Sequence, residues 1–271
     1  MGILNVTPDS FSDGGRYQEV SAALRRVEEM LAQGADLIDL GGYSSRPGAE
    51  DIAVAEELRR LSAVTRAIRD RFPEALLSID TFRPAVAREM LDMGAHLIND
   101  ITAGLPRPHL SGQDPDMLAT VAAYGDVPYI MMHMQGDPAT MQQAPAYPEG
   151  DVTQAVWLFM VERIQAARAA GIKDLVIDPG FGFGKSLDHN YALFQGIRRL
   201  TRLNLPVLVG ISRKSMLYRL LDRKPDEVLP VASALHLSAL QQGARLLRVH
   251  DVAEATDVIR VFEMLQTHGT L

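Results

Sequence analysis

The 271-residue chain contains no cysteine, which removes disulfides, thiolate nucleophiles, iron–sulfur ligation and the usual structural zinc sites. Any metal must be held by oxygen or imidazole. Basic charge is in deficit, 27 Lys and Arg against 34 Asp and Glu, for a formal net charge of −7. No global positive field draws the chain to nucleic acid or an anionic membrane, although a local anion site stays open. Apolar runs long enough to span a bilayer are absent, and Met1-Gly2-Ile3-Leu4-Asn5 has no charged lead into a signal peptide. The remaining composition, 47% hydrophobic and 23% charged, suits a soluble globular enzyme with a large core, and a cytoplasmic location is expected.

A repeat organises the chain. Gln33-Gly34-Ala35, Met93-Gly94-Ala95, Ala170-Gly171-Ile172 and Gln242-Gly243-Ala244 each place Gly after a helical pattern and before a short apolar run. Gly in that position is a helix stop signal, and the run that follows is too short for another helix. Strands are therefore expected near Gly2–Val6, Leu37–Leu40, Leu76–Asp80, Leu97–Asp100, Tyr129–Met132, Leu175–Asp178, Val207–Gly210 and Leu246–Val249, each followed by a helical stretch. Val20, Ala23, Leu24, Val27 and Leu31 form one apolar helical face, with Arg25, Arg26, Glu28 and Glu29 on the other side. Eight βα units in one chain of this length predict a single-domain α/β protein, a (β/α)8 TIM barrel over residues 1–271, in preference to a doubly wound open sheet.

The connections are lopsided. Helix-to-strand turns are minimal, whereas the strand-to-helix segments are long: Asn5 to Gln18, Gly41 to Ile52, Ile101 to Gln113, His133 to Gly150, Pro179 to His189 and Ile211 to Asp226. All the long loops leave the same end of the sheet, so function belongs at the strand C-terminal face. Polar residues end the strands there. Asp80, Asn99 and Asp178 suit a flat heterocycle whose edge carries amino and ring N–H donors, because an ionised carboxylate only accepts. Arg46, Lys185, Arg213, Lys214 and Arg248 suit an anion such as phosphate. A single strand-end carboxylate is more often a helix cap, but the whole set beside five cations is not explained by capping. Asp39, Asp100 and Asp251 are read as caps or internal ion-pair partners.

Several familiar motifs fail. Gly180-Phe181-Gly182-Phe183-Gly184-Lys185-Ser186 has Pro179 where a Walker A loop needs its first Gly, and Lys185 where G-x-G-x-x-G needs its third. Gly210-Ile211-Ser212-Arg213-Lys214 lacks the closing Gly of a nucleophile elbow, and no H-E-x-x-H occurs among the seven His. A nucleotide hydrolase, a Rossmann dehydrogenase, an esterase and a zincin are disfavoured.

The stretches Gly2 to Gly15, Gly41 to Gly48, Ser78 to Thr81, Ile98 to Asp100, Met132 to Met134 with Met141-Gln142, Asp178 to Lys185, Ser212 to Lys214 and Arg248 to Asp251 together resemble the dihydropteroate synthase family over essentially the whole chain. That family joins 7,8-dihydropterin-6-ylmethyl diphosphate to p-aminobenzoate, giving 7,8-dihydropteroate and diphosphate in folate synthesis. The resemblance implies that Asp80, Asn99, Asp178 and Lys214 hold the pterin, with Met132 lining its pocket. It implies that Asn5 serves Mg²⁺, and that Asn5, Ser45, Arg46, Arg248 and His250 hold the diphosphate. Ser45, Phe183, Ser212 and Lys214 would border p-aminobenzoate, and Lys214, Arg248, Asp80 and Asp178 would carry the catalysis. The loops around Thr7 to Gly15 and Ser44 to Gly48 look like lids, and a homodimer is expected.

The physics fits that implication. An aryl amine is already unprotonated at neutral pH, so what limits reaction is departure of diphosphate, which Mg²⁺ and the cations stabilise. In the family, C–O cleavage leaves a methylene cation conjugated with the pterin, which nearby carboxylates favour. A pterin-binding domain without condensation chemistry, and a barrel enzyme for another phosphorylated metabolite, are the competing readings.

Two departures stand out. The family usually has Glu and then Ser-Thr before Arg in the second loop, whereas here Tyr43 precedes Ser44-Ser45. Relatives also commonly carry a short segment before the first strand, covering the barrel floor. Trp157 and Phe159 read as packing or an oligomer face; Met30, Met90 and Met93 as core; and His96, His109, His189, His236 and His268 as surface or helix residues.

Overall fold

The computed structural model describes residues 1–6, 16–45, 51–106, 110–112, 116–136, 138 and 140–268. Strands alternate with helices along the chain: β1 (Gly2–Asn5), α1 (Arg16–Ala32), β2 (Leu37–Gly41), α2 (Val54–Arg71), β3 (Leu76–Asp80), α3 (Pro84–Asp92), β4 (Leu97–Asp100) and α4 (Met117–Ala122). The second half continues with β5 (Tyr129–Met132), α5 (Val152–Ala170), β6 (Leu175–Asp178), α6 (Leu187–Gln195), α7 (Ile197–Leu200), β7 (Leu208–Val209), α8 (Ser215–Tyr218), α9 (Leu229–Gln241), β8 (Leu246–Leu247) and α10 (Val252–His268).

Strands β1 to β6 form one parallel sheet in chain order, and β7 pairs with β8. Single parallel bridges, Ile177 to Val207 and Gly2 to Val249, join the two sheets at both seams and close the ring. The eight-stranded barrel thus stands as the sequence predicts. β7 and β8 are shorter than the expected Val207–Gly210 and Leu246–Val249, and soon after β7 the chain turns, with Lys214 N–H donating to Ile211 O at 3.1 Å.

The repeated Gly positions work as helix stops. Gly34, Gly94, Gly171 and Gly243 have φ of +94°, +91°, +102° and +101°, the left-handed conformation that turns a helix directly into the next strand. Other helix ends use side chains: Asp151 accepts from Gln154 N–H at the start of α5, and Ser186 and His189 form a reciprocal capping box on α6.

Strand alternation divides the interior. Leu40, Leu77, Ile79, Ile98, Met131, Ile177 and Val209 point outward into the main core shared with the helices, to which Ala23, Val27, Met30, Ile68 and Met90 contribute. Inside the barrel, Leu97, Ile130 and Leu208 form an apolar floor, flanked by Met1, Leu37, Val176 and Leu246. The Met1 ammonium donates to Leu247 O at 3.0 Å. Two residues further along, the same faces carry Asp39, Asn99, Met132, Asp178, Gly210 and Arg248, so β2, β4, β6 and β8 change from apolar to polar as they rise toward the loops.

Candidate active site

A cavity at the strand C-terminal mouth is lined by Ser45, Asp80, Asn99, Ile101, Met132, Asp178, Phe183, Gly210, Lys214 and Arg248. Residues drawn from seven strands or the loops after them thus meet around one space, as the strand-end pattern predicts. Ile101 and Gly210 were not anticipated. Their signal was the two-residue step from Asn99 and from Leu208 along inward faces.

The floor of the cavity is an ion-pair network centred on fully buried Asp39. Arg248 Nε donates to Asp39 Oδ2 at 2.6 Å, and Arg248 Nη2 to Asp80 Oδ2 at 2.6 Å. Asp39 also accepts from Ser78 Oγ at 2.5 Å and from Asn99 Nδ2 at 3.1 Å. The expected internal ion-pair role of Asp39 is therefore what the geometry shows. Burial pushes Asp80 up to about 7 while Arg248 pulls against it and Asp39 adds to the rise. Burial alone would lower Arg248, but Asp39 and Asp80 outweigh it and keep the guanidinium firmly protonated.

Across the cavity, Asp178 Oδ1 accepts from Gly180 N–H at 2.7 Å, and burial raises its pKa against the pull of Lys214. Lys214 Nζ donates to Phe181 O at 2.6 Å and stands 4.9 Å over the Phe183 ring. Its pKa is lowered to about 8 by burial, with Asp178 opposing. The turn that delivers Lys214 contains Arg213 at φ +57°, a conformation uncommon for a side chain of this size. That turn sends consecutive cations in different directions.

Two of the five expected anion-binding cations are thereby corrected. Arg213 lies outside the cavity and pairs with Asp251 at 2.5 Å, so Asp251 is an ion-pair partner as expected. Lys185 is buried behind the loop, where Nζ reaches Gly180 O at 2.8 Å, Phe183 O at 3.0 Å and His133 Nδ1 at 3.0 Å. Burial drives its pKa well down, and it braces the loop carrying Phe183. Gly180 sits at φ +69° so close to this brace that a Cβ would lie 1.9 Å from His133 O.

Asn5 ends β1, with its Oδ1 3.4 Å from where a Cβ on Gly41 would project beside Asp80. Ser212 Oγ lies 3.1 Å from His250 Nδ1, and the pair stands beside the lining residues Lys214 and Arg248 in sequence without itself lining the cavity. Arg46, the Thr7 to Gly15 stretch and the Arg46 to Gly48 part of the second loop lie outside the described residues, as does His109. Asp100 ties its own turn, accepting from Thr102 and Gly104, and Met30 and Met90 are core. His236 lies on α9, as the helix reading expects, and is buried there, while His96 is half-buried with Nδ1 accepting from Leu77 N–H. Among the described residues no group of three or more His, Asp or Glu is arranged to cage a metal ion, and no helix is long and apolar enough to cross a membrane.

Comparison with known proteins agrees with this geometry. The family described as pterin binding enzyme matches residues 1–250. The dihydropteroate synthase of Escherichia coli strain K12 is 46% identical over 265 residues, which cover 97% of this chain and 90% of the relative. The Yersinia pestis dihydropteroate synthase, solved with a sulfonamide drug complex, superposes with a TM-score of 0.89 at 43% identity, over 98% of this chain and 94% of that one. The Xanthomonas albilineans dihydropteroate synthase, solved with 4-aminobenzoic acid, gives a TM-score of 0.88 at 44% identity, over 99% and 93% of the two chains. This chain belongs to the pterin-binding enzymes, among the dihydropteroate synthases.

Proposed function

We propose that the barrel mouth condenses 7,8-dihydropterin-6-ylmethyl diphosphate with p-aminobenzoate, through one domain spanning residues 1–271. The observation that carries this reading is the meeting of Asp80, Asn99, Asp178, Lys214 and Arg248 around one cavity. Carboxylates and an amide offer acceptors to the amino and ring N–H edge of a pterin, and Met132 and Ile101 offer apolar surface to its faces. Lys214 supplies a donor between the pterin region and Phe183, where the aryl amine would approach. The related Xanthomonas albilineans enzyme binds 4-aminobenzoic acid, which supports that outer subsite.

In this reading Asp80 and Asp178 favour positive charge on the pterin methylene as its C–O bond lengthens. Ser45, Arg46, Arg248 and His250 receive the departing diphosphate, and Ser45, Phe183, Ser212 and Lys214 border the p-aminobenzoate. Nε and one Nη2 hydrogen of Arg248 are held by Asp39 and Asp80, which leaves Nη1 and the second Nη2 hydrogen for the anion. A magnesium ion fits only as a partner of the substrate phosphates: Asn5 offers one neutral oxygen, and this cation commonly binds with few protein ligands beside phosphate. When bound, it would neutralise charge on the leaving diphosphate. A cytoplasmic homodimer completes the proposal.

The deciding assay mixes folded protein with both substrates and Mg²⁺ and measures dihydropteroate. Turnover is expected, with Lys214→Ala and Arg248→Ala each losing about two orders of magnitude or more in kcat/KM. A folded protein that forms no product would overturn the reading.

A further inference from the structure

Arg83 carries a full positive charge at 0% exposure, next to the cavity but outside it. A buried guanidinium requires partners on every side, and here they come from helix α2 and from the loops after β2, β3 and β4. Nη1 donates to Glu57 Oε2 at 2.9 Å, and Glu57, itself fully buried, also accepts from Thr81 Oγ1 at 2.7 Å. Nη2 donates to Asp51 Oδ1 at 2.7 Å, to Ser111 Oγ at 3.0 Å and to Ile52 O, while Nε donates to Ser111 O at 3.0 Å. Two aromatic rings complete the enclosure: Cζ lies 5.2 Å from the Tyr43 centroid and 5.1 Å from that of Phe82. The rings meet edge to face, 5.0 Å apart.

Among the described residues, the partners that belong to the loop between β2 and α2 sit at its two ends. Tyr43 belongs to the departing end, where Arg60 also fixes Gly42 O at 3.0 Å, and Asp51 and Ile52 belong to the returning end. The same guanidinium therefore holds both ends, and through Ser111 it ties them to the loop after β4. Ser45, two residues beyond Tyr43, lines the cavity. Tyr43 and Phe82 also pack into the apolar cluster of Ile101, Met132 and Phe183, all three of them cavity-lining residues.

We propose that Arg83 and Tyr43 form a clasp at the base of the second βα loop, and that this clasp is a positioning device for Ser45 in the condensation. Neither residue touches the reacting atoms. The polar pterin contacts at Asp80, Asn99 and Asp178 are borne by β3, β4 and β6 and share only the apolar cluster of Ile101 and Met132 with the clasp, whereas contacts made from the second loop depend on it directly. Burial raises the Tyr43 phenol to about 12, with Asp51 adding to the rise and Arg83 opposing it, so the ring stays neutral at working pH.

The proposal deepens the functional reading above and rests on it for its kinetic part. Tyr43→Leu, which removes the ring, is expected to lower kcat/KM for condensation at least about 10-fold, while affinity for a pterin lacking the diphosphate stays within about twofold of wild type. Tyr43→Phe keeps the ring and is expected to stay within about threefold in both. Arg83→Lys keeps charge without the fork and should follow Tyr43→Leu. Amide hydrogen exchange adds an arm that needs no turnover: segments covering Gly42 to Ala53 should exchange faster in Tyr43→Leu, with the barrel strands unchanged. Wild-type kinetics in Tyr43→Leu, a parallel loss of pterin affinity, or unchanged exchange at Gly42 to Ala53 would each overturn the clasp. If wild-type protein turns over nothing, the functional reading fails, and the exchange arm still decides the clasp.

Discussion

The cavity concentrates charge that only makes sense collectively. Arg248 lies between Asp39 and Asp80, and Lys214 faces Asp178, so each carboxylate loses part of its solvation but gains a cation. Asp178→Asn would replace an acceptor-only group by one that presents N–H to the donor edge of a pterin, and would strip Lys214 of its opposing charge. Losing a charge-assisted hydrogen bond of about 1.5–3 kcal/mol should weaken pterin binding roughly 10- to 100-fold by titration calorimetry; an unchanged dissociation constant removes Asp178 from the ring edge. Lys214 makes a separate pH prediction. With its pKa lowered to about 8, it is charged below that pH and neutral above it, so kcat/KM should fall on the alkaline side of about 8. Lys214→Arg stays charged throughout and should lose that limb even where its rate is poor, and a limb that persists in this variant assigns it elsewhere. The chemical types of these residues were legible in the sequence, because they stand at strand ends. What could not be read was direction: Lys185, Arg213 and Lys214 looked equivalent, and only the left-handed backbone at Arg213 and the burial of Lys185 separate them.

Helices and strands were easier to read than the loops between them because their signals are local. Gly after a helix and a short apolar run before a polar end fix both boundaries, whereas the clasp between Tyr43, Asp51, Glu57, Arg83 and Ser111 joins residues up to 68 positions apart and leaves no periodic trace. Helix α9 shows another limit. Its His236 appears in a run of small and apolar residues and is 3% exposed, with Nε2 lacking a hydrogen-bond partner among the described residues. Burial lowers its pKa from 6.5 to about 4, against the pull of Asp251. Between those values the unfolded chain binds a proton that the folded chain does not, so stability falls as pH drops from 6.5 toward 4. The linkage amounts to about 2 kcal/mol between roughly pH 7 and pH 5. His236→Leu, similar in size and without a proton to bind, should show a smaller loss of urea midpoint over that interval. Equal losses in the two proteins would show that His236 is not the titrating group.

At the scale of the molecule, ring closure gathers the strand-borne polar ends on one mouth and leaves the helices to face outward, away from the cavity. Helix α10 presents an apolar outer face. Its inner side, Val252, Ala255, Val258, Ile259 and Phe262, packs on the barrel, while Val261, Met264 and Leu265 remain 52%, 58% and 49% exposed beside Arg260 and His268. The spacing of those three residues makes a continuous outer stripe, an arrangement whose burial favours a partner. A twofold dimer brings the same stripe to itself and needs no complementary surface elsewhere. Leu265→Glu places two like charges near such a contact, and Met264→Lys removes apolar area from it. Sedimentation equilibrium at micromolar concentration should find the wild-type chain as a dimer and the Leu265→Glu, Met264→Lys double variant shifted to monomer. Turnover per chain should persist at high enzyme dilution, because Asp80, Asn99, Asp178, Lys214 and Arg248 all come from one chain. A wild-type monomer, or a dimer indifferent to both substitutions, would remove α10 as the contact and leave its apolar stripe without a partner of its own kind.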